Sequence, residues 1–182
     1  MDRSESTPNL TPTSFLVLGM VGHLGEATSY QMKQLVGATI GGFWPVPHSQ
    51  LYAEPARLAR IGLLDEQREA AGRKKRTYRL TEPGRDALAG WLASPDEAGG
   101  ELRDESLLKL FFGAQAGPGT VATFARRAAT SHRDRLAGYE HLVAHPPVGS
   151  DLHQLSILAL VCRYEAEAIA FWDAVAVDPD LA

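Results

Sequence analysis

Apolar positions along this chain change their spacing several times, and each change marks an element. Phe15, Leu16, Leu18 and Val21 crowd one short segment, which predicts a first helix opened by Thr13 or Ser14 and ended at Gly22 or Gly25. A second helix is predicted after Thr28 or Ser29, with Tyr30, Met32, Leu35 and Val36 inward, Gln31, Lys33 and Gln34 toward water, and Gly37 at its end. The Gly41-Gly42 pair supplies a turn before Phe43-Trp44, two aromatics predicted to seal a third helix onto the first. That third helix should run from near Pro47 to Ile61, with Leu51, Leu58 and Ile61 as its inward stripe. Leu63 to Glu69 and Lys75 to Leu80 then predict two strands around a turn that holds Gly72 and four consecutive cations. Thr81 followed by Glu82-Pro83 places a cap and a first-turn proline ahead of a helix through Ala87, Leu88, Trp91 and Leu92.

Two prolines qualify the third helix. Pro47 stands where a side-chain cap would serve, although proline is tolerated at a first helical position. Pro55 lies one turn beyond Leu51 and cannot donate to its carbonyl, which predicts a kink or a late start to regular helix.

Residues 1–11 are polar and flanked by prolines, and read as a flexible arm. Residues 12–94 form a first domain, and 95–100, rich in proline, glycine and acid, read as a linker. Residues 101–182 then carry helices over about 101–112, 120–143 and 152–175, the last two separated by Pro146-Pro147. The final helix is apolar on far more than one face. Leu155, Leu158, Val161, Cys162, Ile169 and Trp172 are therefore assigned to dimerisation, because three helices alone offer limited cover. The fold class expected is mainly α with one small β-hairpin.

Charge placement sharpens this picture more than the total does. Residues 57–85 hold nine Lys or Arg against four Asp or Glu, a local +5, which leaves −9 on the rest of a chain whose total is −4. One region attracts phosphate and the remainder repels it. The longest strongly apolar stretch, Leu155 to Cys162, is too short to cross a bilayer, and the N-terminus lacks an apolar signal core, so a cytosolic location without a membrane partner is expected. Cys162, alone among apolar neighbours, reads as a small buried hydrophobe. His141 and His145 have helical i,i+4 spacing but no third ligand nearby, so no metal or cofactor is expected. A phosphate-cradling glycine loop, a G-x-S-x-G turn and a His-Glu-x-x-His run are all missing, and no catalytic residue is assigned.

Helix, helix, strand, basic turn and strand in this order make a winged helix-turn-helix. Such a module needs one element that enters the major groove and cations that grip the backbone around it. His48, Ser49, Gln50 and Tyr52 sit at the presenting end of the third helix. Gln50 is suited to read adenine through paired N6 and N7 contacts, while Ser49, Tyr52 and Arg57 suit phosphate. Arg73, Lys74, Lys75 and Arg76 at the wing suit phosphate or the minor groove and add affinity more than discrimination.

The run Gly42-Phe43-Trp44-Pro45 through Tyr52, the wing with its basic turn, Thr81-Glu82-Pro83-Gly84-Arg85, and Arg103-Asp104-Glu105 through Gly113 together resemble the PadR family of bacterial transcription regulators. The resemblance covers nearly the whole chain. It implies a homodimeric regulator, a repressor in the first instance, that presents two recognition helices to an inverted-repeat operator in double-stranded DNA. It also implies a possible small-molecule effector, aromatic or drug-like, between the domains, and is compatible with action without a ligand. Aromatics near the dimer interface contact flat ligands in some relatives, but packing is the assignment made here for Trp91 and Trp172. The alternative is a winged-helix module that has no operator and works on another protein; the intact basic wing argues against it.

Overall fold

The computed structural model describes residues 9–41, 43–68, 75–95, 104–147 and 149–178. The elements run α1 (Pro12–Leu24), α2 (Ser29–Ala38), α3 (His48–Arg60), β1 (Leu64–Arg68), β2 (Arg76–Leu80), α4 (Glu82–Ala93), α5 (Glu105–Phe111), a single 3-10 turn (Gly113–Gln115), α6 (Pro118–Ala144) and α7 (Leu152–Val177). The chain separates into two compact units, residues 1–97 and 98–182. Of the assigned arm, residues 1–8 lie outside the described residues, as do 96–100 of the assigned linker.

In the first unit, Val17, Leu18 and Val21 of α1, Met32 of α2, Leu51 and Leu58 of α3, Leu64 of β1 and Tyr78 of β2 close one core around α1. Full burial of a leucine contributes roughly 1.5–3 kcal/mol, so this cluster positions α3 firmly. The N-terminal cap lies earlier than the sequence suggested. Thr11 caps α1 in a reciprocal box with Ser14, Pro12 opens the helix, and Leu10 packs against the core, so the end of the assigned arm belongs to the fold. Thr28 forms the same kind of box with Gln31 at α2. Gly37 does not end α2; the helix continues to Ala38, where Thr39 Oγ1 donates to the Leu35 carbonyl at 2.6 Å. Tyr30, expected inward, is 59% exposed, because Met32 and Val36 at i,i+4 define the buried stripe and position 30 is rotated away from it.

The end of α3 is a hydrogen-bonded reversal. Gly62, at φ 80°, lets its own amide bond the Ala59 carbonyl and the Leu63 amide bond the Leu58 carbonyl, the Schellman arrangement. Ile61 caps this end and is 38% exposed, rather than completing the inward stripe; Leu51, Pro55 and Leu58 make that stripe. The helix is assigned without a break across Pro55, so the late start is not observed. From Gly62 the chain enters an antiparallel hairpin registered Leu64 opposite Leu80 and Arg68 opposite Arg76. Ala27, between α1 and α2, adds a bridge to Tyr78 through both backbone bonds, at 3.0 and 2.8 Å, which ties the wing to the helical core. Thr81 then joins the reversal to α4: its hydroxyl donates to the Gly62 carbonyl at 2.8 Å and accepts from the Gly84 amide at 3.1 Å.

The second unit is built on α6 and α7, two long helices packed along each other, with α5 against α6. Asp104 caps α5 and Asp151 caps α7. Val121, Ala125, Ala128 and Ala129 of α6 enclose Trp172 and Val175 of α7. Alanines there let the two helices approach closely around the indole. Among the described residues no helix is long and apolar enough to cross a membrane.

Candidate nucleic-acid interface

At the N-terminal end of α3, whose Leu51, Pro55 and Leu58 are buried, His48, Ser49, Gln50 and Tyr52 are all exposed, with Tyr52 at 52%. Gln50 is not a free side chain. Thr13 Oγ1 of α1 donates to its Oε1 at 3.2 Å, which leaves the amide Nε2 as an available donor and the carbonyl oxygen with one lone pair to spare. Pro47 occupies the cap position without a side-chain bond, so the first amides of α3 lack that partner.

Arg57, expected at phosphate, is engaged within the chain. Its Nε donates to Glu54 Oε2 at 2.9 Å, and one terminal nitrogen donates to Glu54 Oε1 at 2.7 Å and to Ser14 Oγ at 3.0 Å. Ser14 Oγ in turn donates to Glu54 Oε1 at 2.7 Å. This closed set couples α3 to α1 and engages the guanidinium with a carboxylate, where a phosphate contact was expected. The Arg57 bond holds the Glu54 carboxyl below its ordinary value, against burial that pushes it up, with Ser14 adding to the lowering. Glu54 holds the Arg57 guanidinium above its ordinary value in return.

At the wing, Lys75 is exposed, and Arg76 stands 3.5 Å from Glu66 with half its side chain in solvent. Arg68 also pairs with Glu66, so one acid sits between two cations across the hairpin. The buried Tyr78 phenol beneath them is pushed up by desolvation first and by Glu66 next. Arg73 and Lys74, with Gly72, lie outside the described residues. Phe43 and Trp44 do not seal α3 onto α1: they are 39% and 46% exposed, and Ile40 and Val46 pack against the core instead. Trp91 stacks on Phe15 of α1 with ring centroids 4.8 Å apart and planes 5° from parallel. Sequence reasoning placed Gln34 toward water but Tyr30 inward; the two are exposed neighbours on α2, where Gln34 Nε2 donates to the Tyr30 hydroxyl at 3.0 Å. The signal was available: Tyr30 is out of register with Met32 and Val36.

In the second unit the residues assigned to dimerisation divide. Trp172 at 1% and Leu158 at 6% exposure are already covered within the single chain, so a partner finds nothing there to bury. Leu155, Val161, Cys162 and Ile169 are half-buried. Between its two ends, where Leu152 and Val177 are also exposed, α7 leaves open Ile157, Leu160, Tyr164 and Phe171, spaced at three, four and seven residues. Burial pushes the Cys162 thiol up, with Glu140 and Glu165 adding to it, which keeps it in the less reactive protonated form. His141 and His145 stack at 4.7 Å, and no group of three or more metal-ligating side chains occurs among the described residues. A buried polar set that the sequence pattern did not reveal lies between α6 and α7. His132 Nδ1 meets Glu165 Oε2 at 2.6 Å, and Arg135 donates to Glu165 Oε1 at 3.0 Å. His132, Arg135 and Glu165 sit on helices whose other inward residues are apolar or small, so periodicity alone gave no reason to pair them.

This geometry agrees with comparisons to known proteins. Residues 17–90 match the model of the transcriptional regulator PadR-like family, and residues 102–177 match that of the virulence activator alpha C-terminal domain. The chain is 30% identical over 100 residues to the negative transcriptional regulator PadR of Bacillus subtilis (strain 168), a match that spans about half of each protein, 54% in both cases. The solved structure of Bacillus subtilis PadR in complex with operator DNA superposes with a TM-score of 0.80 at 22% identity, covering 93% of this chain and 98% of that one. The same protein in complex with p-coumaric acid superposes at 0.73 with 22% identity, covering 90% and 96%. The winged helix lies over the match to the PadR-like family model and the helical unit over the second match, and the chain as a whole shares the fold of the PadR structures.

Proposed function

We propose that this protein is a cytoplasmic, homodimeric repressor that binds an inverted-repeat operator through α3 and the basic wing. The observation that carries the reading is the exposed set His48, Ser49, Gln50 and Tyr52 at the N-terminal end of a helix that Leu51, Pro55 and Leu58 lock into the core. A fixed helix with a polar face is what major-groove reading requires. Gln50, oriented by Thr13, is the base-reading residue. Ser49 and Tyr52 contact phosphate, His48 borders the groove, and Lys75 and Arg76, with Arg73 and Lys74, grip the backbone beside it. Arg57 acts indirectly, by holding α3 against α1. The second unit supplies the dimer contact through Leu155, Val161 and Ile169 together with the open side of α7, so that two α3 helices address the two half-sites. A small aromatic effector, comparable in size to the p-coumaric acid held by the Bacillus subtilis protein, would shift the spacing of the two heads.

Fluorescence anisotropy with a duplex from the promoter of the protein's own gene, against a shuffled duplex of equal length, tests the reading. Specific regulators bind their site about 10³-fold or more tighter than random DNA, and that preference is expected here. Equal affinity for the two duplexes would refute operator recognition.

A further inference from the structure

Between α3 and the wing runs a groove of about 700 Å³, lined by Ala56, Ala59 and Arg60 of α3 and by Glu66, Arg68 and Arg76 of the hairpin. With Asp65, also on its lining, the groove carries three arginines against two acids. Along α3, Ser49, Tyr52, Ala56, Ala59 and Arg60 fall within an arc of about 100°, at 3.6 residues per turn. The groove therefore continues the side of the helix whose Ser49 and Tyr52 are proposed at phosphate.

On the hairpin, Glu66 and Arg68 share a face with Tyr78 and Arg76 across the register, and Thr77 and Arg79 lie on the other face. Arg68 and Arg76 stand directly opposite each other, and like charges so placed destabilise a hairpin. Glu66 offsets that repulsion. Its side chain is 14% exposed, it pairs with Arg68, and its Oε1 lies 3.5 Å from Nε of Arg76. Each guanidinium approaches the acid by Nε, which leaves terminal N–H donors on two exposed side chains for a further acceptor. Relief of repulsion accounts for Glu66 but not for Arg60. This third cation reaches the same groove from another element, is exposed, and has no hydrogen bond or ion pair among the described residues. A helix end favours a cation on any of its sides; Arg60 is on the side that faces the hairpin arginines.

On DNA, a helix in the major groove and a wing at the adjoining minor groove are separated by one sugar-phosphate strand. The groove between α3 and the hairpin is where that strand has room to pass. We propose that this groove seats a backbone phosphate of the bound duplex on Arg60, Arg68 and Arg76, with Glu66 as a resident acid that the phosphate competes with. The proposal rests on the DNA-binding reading above and deepens it, adding Arg60 and Arg68 as contacts and Glu66 as a built-in opponent of affinity. The carboxylate repels the incoming phosphate and draws on the same guanidinium charge. Since every sequence offers the same phosphate, the effect is independent of base sequence.

Fluorescence anisotropy on a random-sequence duplex, repeated at several salt concentrations, tests the seat apart from base reading. Arg60→Ala and Arg68→Ala are each expected to weaken binding about fivefold, and Arg60→Ala to lower the slope of log affinity against log salt by about 0.9, the share of one phosphate. Glu66→Gln keeps the size and an oxygen acceptor, removes the charge, and is expected to tighten binding about threefold. Arg79→Ala and Glu26→Gln remove the same charges from an ion pair on the other face of β2, and should change affinity by less than about twofold. Melting curves first match each variant to the wild type. Unchanged affinity in Arg60→Ala, unchanged or weaker binding in Glu66→Gln, or a loss in Arg79→Ala as large as that in Arg60→Ala would overturn the seat. Any of these in a protein that still prefers its operator leaves operator recognition standing. The expected changes without an operator preference sink operator recognition alone, and a wild type that binds no duplex overturns both.

Discussion

Ser14 of α1 and Glu54 of α3 are joined by a 2.7 Å hydrogen bond between helices forty residues apart in sequence, and Arg57 completes the contact from one turn further along. The Ser14 side chain is fully buried, so the bond is a fixed strut beneath the face proposed to read DNA. Glu54→Gln leaves the shape and removes the charge, and is expected to cost on the order of 1.5–3 kcal/mol near neutral pH, the range for hydrogen bonds to a charged group. The carboxyl is held below its ordinary value of 4.5 in the folded state, so its contribution is present above that value and is lost as pH falls through the lowered one. Urea denaturation of both proteins from pH 7 down to pH 3 should show the gap between them shrinking with acid. A gap independent of pH would contradict the linkage.

Gly84 is expected to tolerate no side chain. A Cβ built there would stand 2.0 Å from the Leu63 carbonyl oxygen, a backbone atom already engaged by the Thr81 amide. Gly84→Ala should therefore lower the stability of the first unit by about 1–3 kcal/mol or more, despite the better helix propensity of alanine. Gly90→Ala, in the same helix with open space around it, serves as the control and should be neutral or slightly stabilising. Thermal melts of the pair check this; equal melting temperatures would show that the close approach is relieved at no cost.

The wing should contribute affinity without sequence preference. Replacing Arg73, Lys74, Lys75 and Arg76 with alanine is expected to weaken specific and random duplexes alike, and to reduce the slope of log affinity against log salt by about 0.9 for each phosphate no longer neutralised. Arg76 should contribute least of the four if its pairing with Glu66 persists in the complex. Anisotropy titrations at several salt concentrations read both quantities. A slope unchanged from the wild type would remove the wing from the interface.

Much of the first unit was legible in the sequence because its signals are local. Thr81 before Glu82-Pro83 and the period of Leu51 and Leu58 each act over one or two turns, and α3 and α4 stand where those residues put them. What could not be read were relationships that depend on how elements meet. Arg57 looks like a phosphate ligand until Glu54 and Ser14 are brought beside it, and Phe43-Trp44 look like core until Ile40 and Val46 occupy that place. In the second unit, apolarity all around α7 called for partners on several sides but did not say which side each partner takes. Trp172 is claimed by α6 of the same chain, and the residues left exposed include Ile157, Leu160, Tyr164 and Phe171.

That division gives a test of assembly. Leu160 is 65% exposed in the single chain, so Leu160→Glu places a charge where only a partner could object. Sedimentation at micromolar concentration is expected to show a dimer for the wild type and a monomer for the variant, with the melting of the first unit unchanged. A variant that remains dimeric would move the interface off this side of α7.

The central claim is that the outer face of α3 reads base sequence, and Gln50 is where it is tested most directly. After an operator is selected from a random duplex pool with the wild type, affinities of the wild type and Gln50→Ala are measured on that operator and on its single-base variants. The account predicts a loss of about 1–3 kcal/mol on the selected operator that disappears when one particular A·T pair is replaced, because only then is the wild type also without the paired bonds. A loss of equal size on every duplex would contradict base reading by α3 at this position.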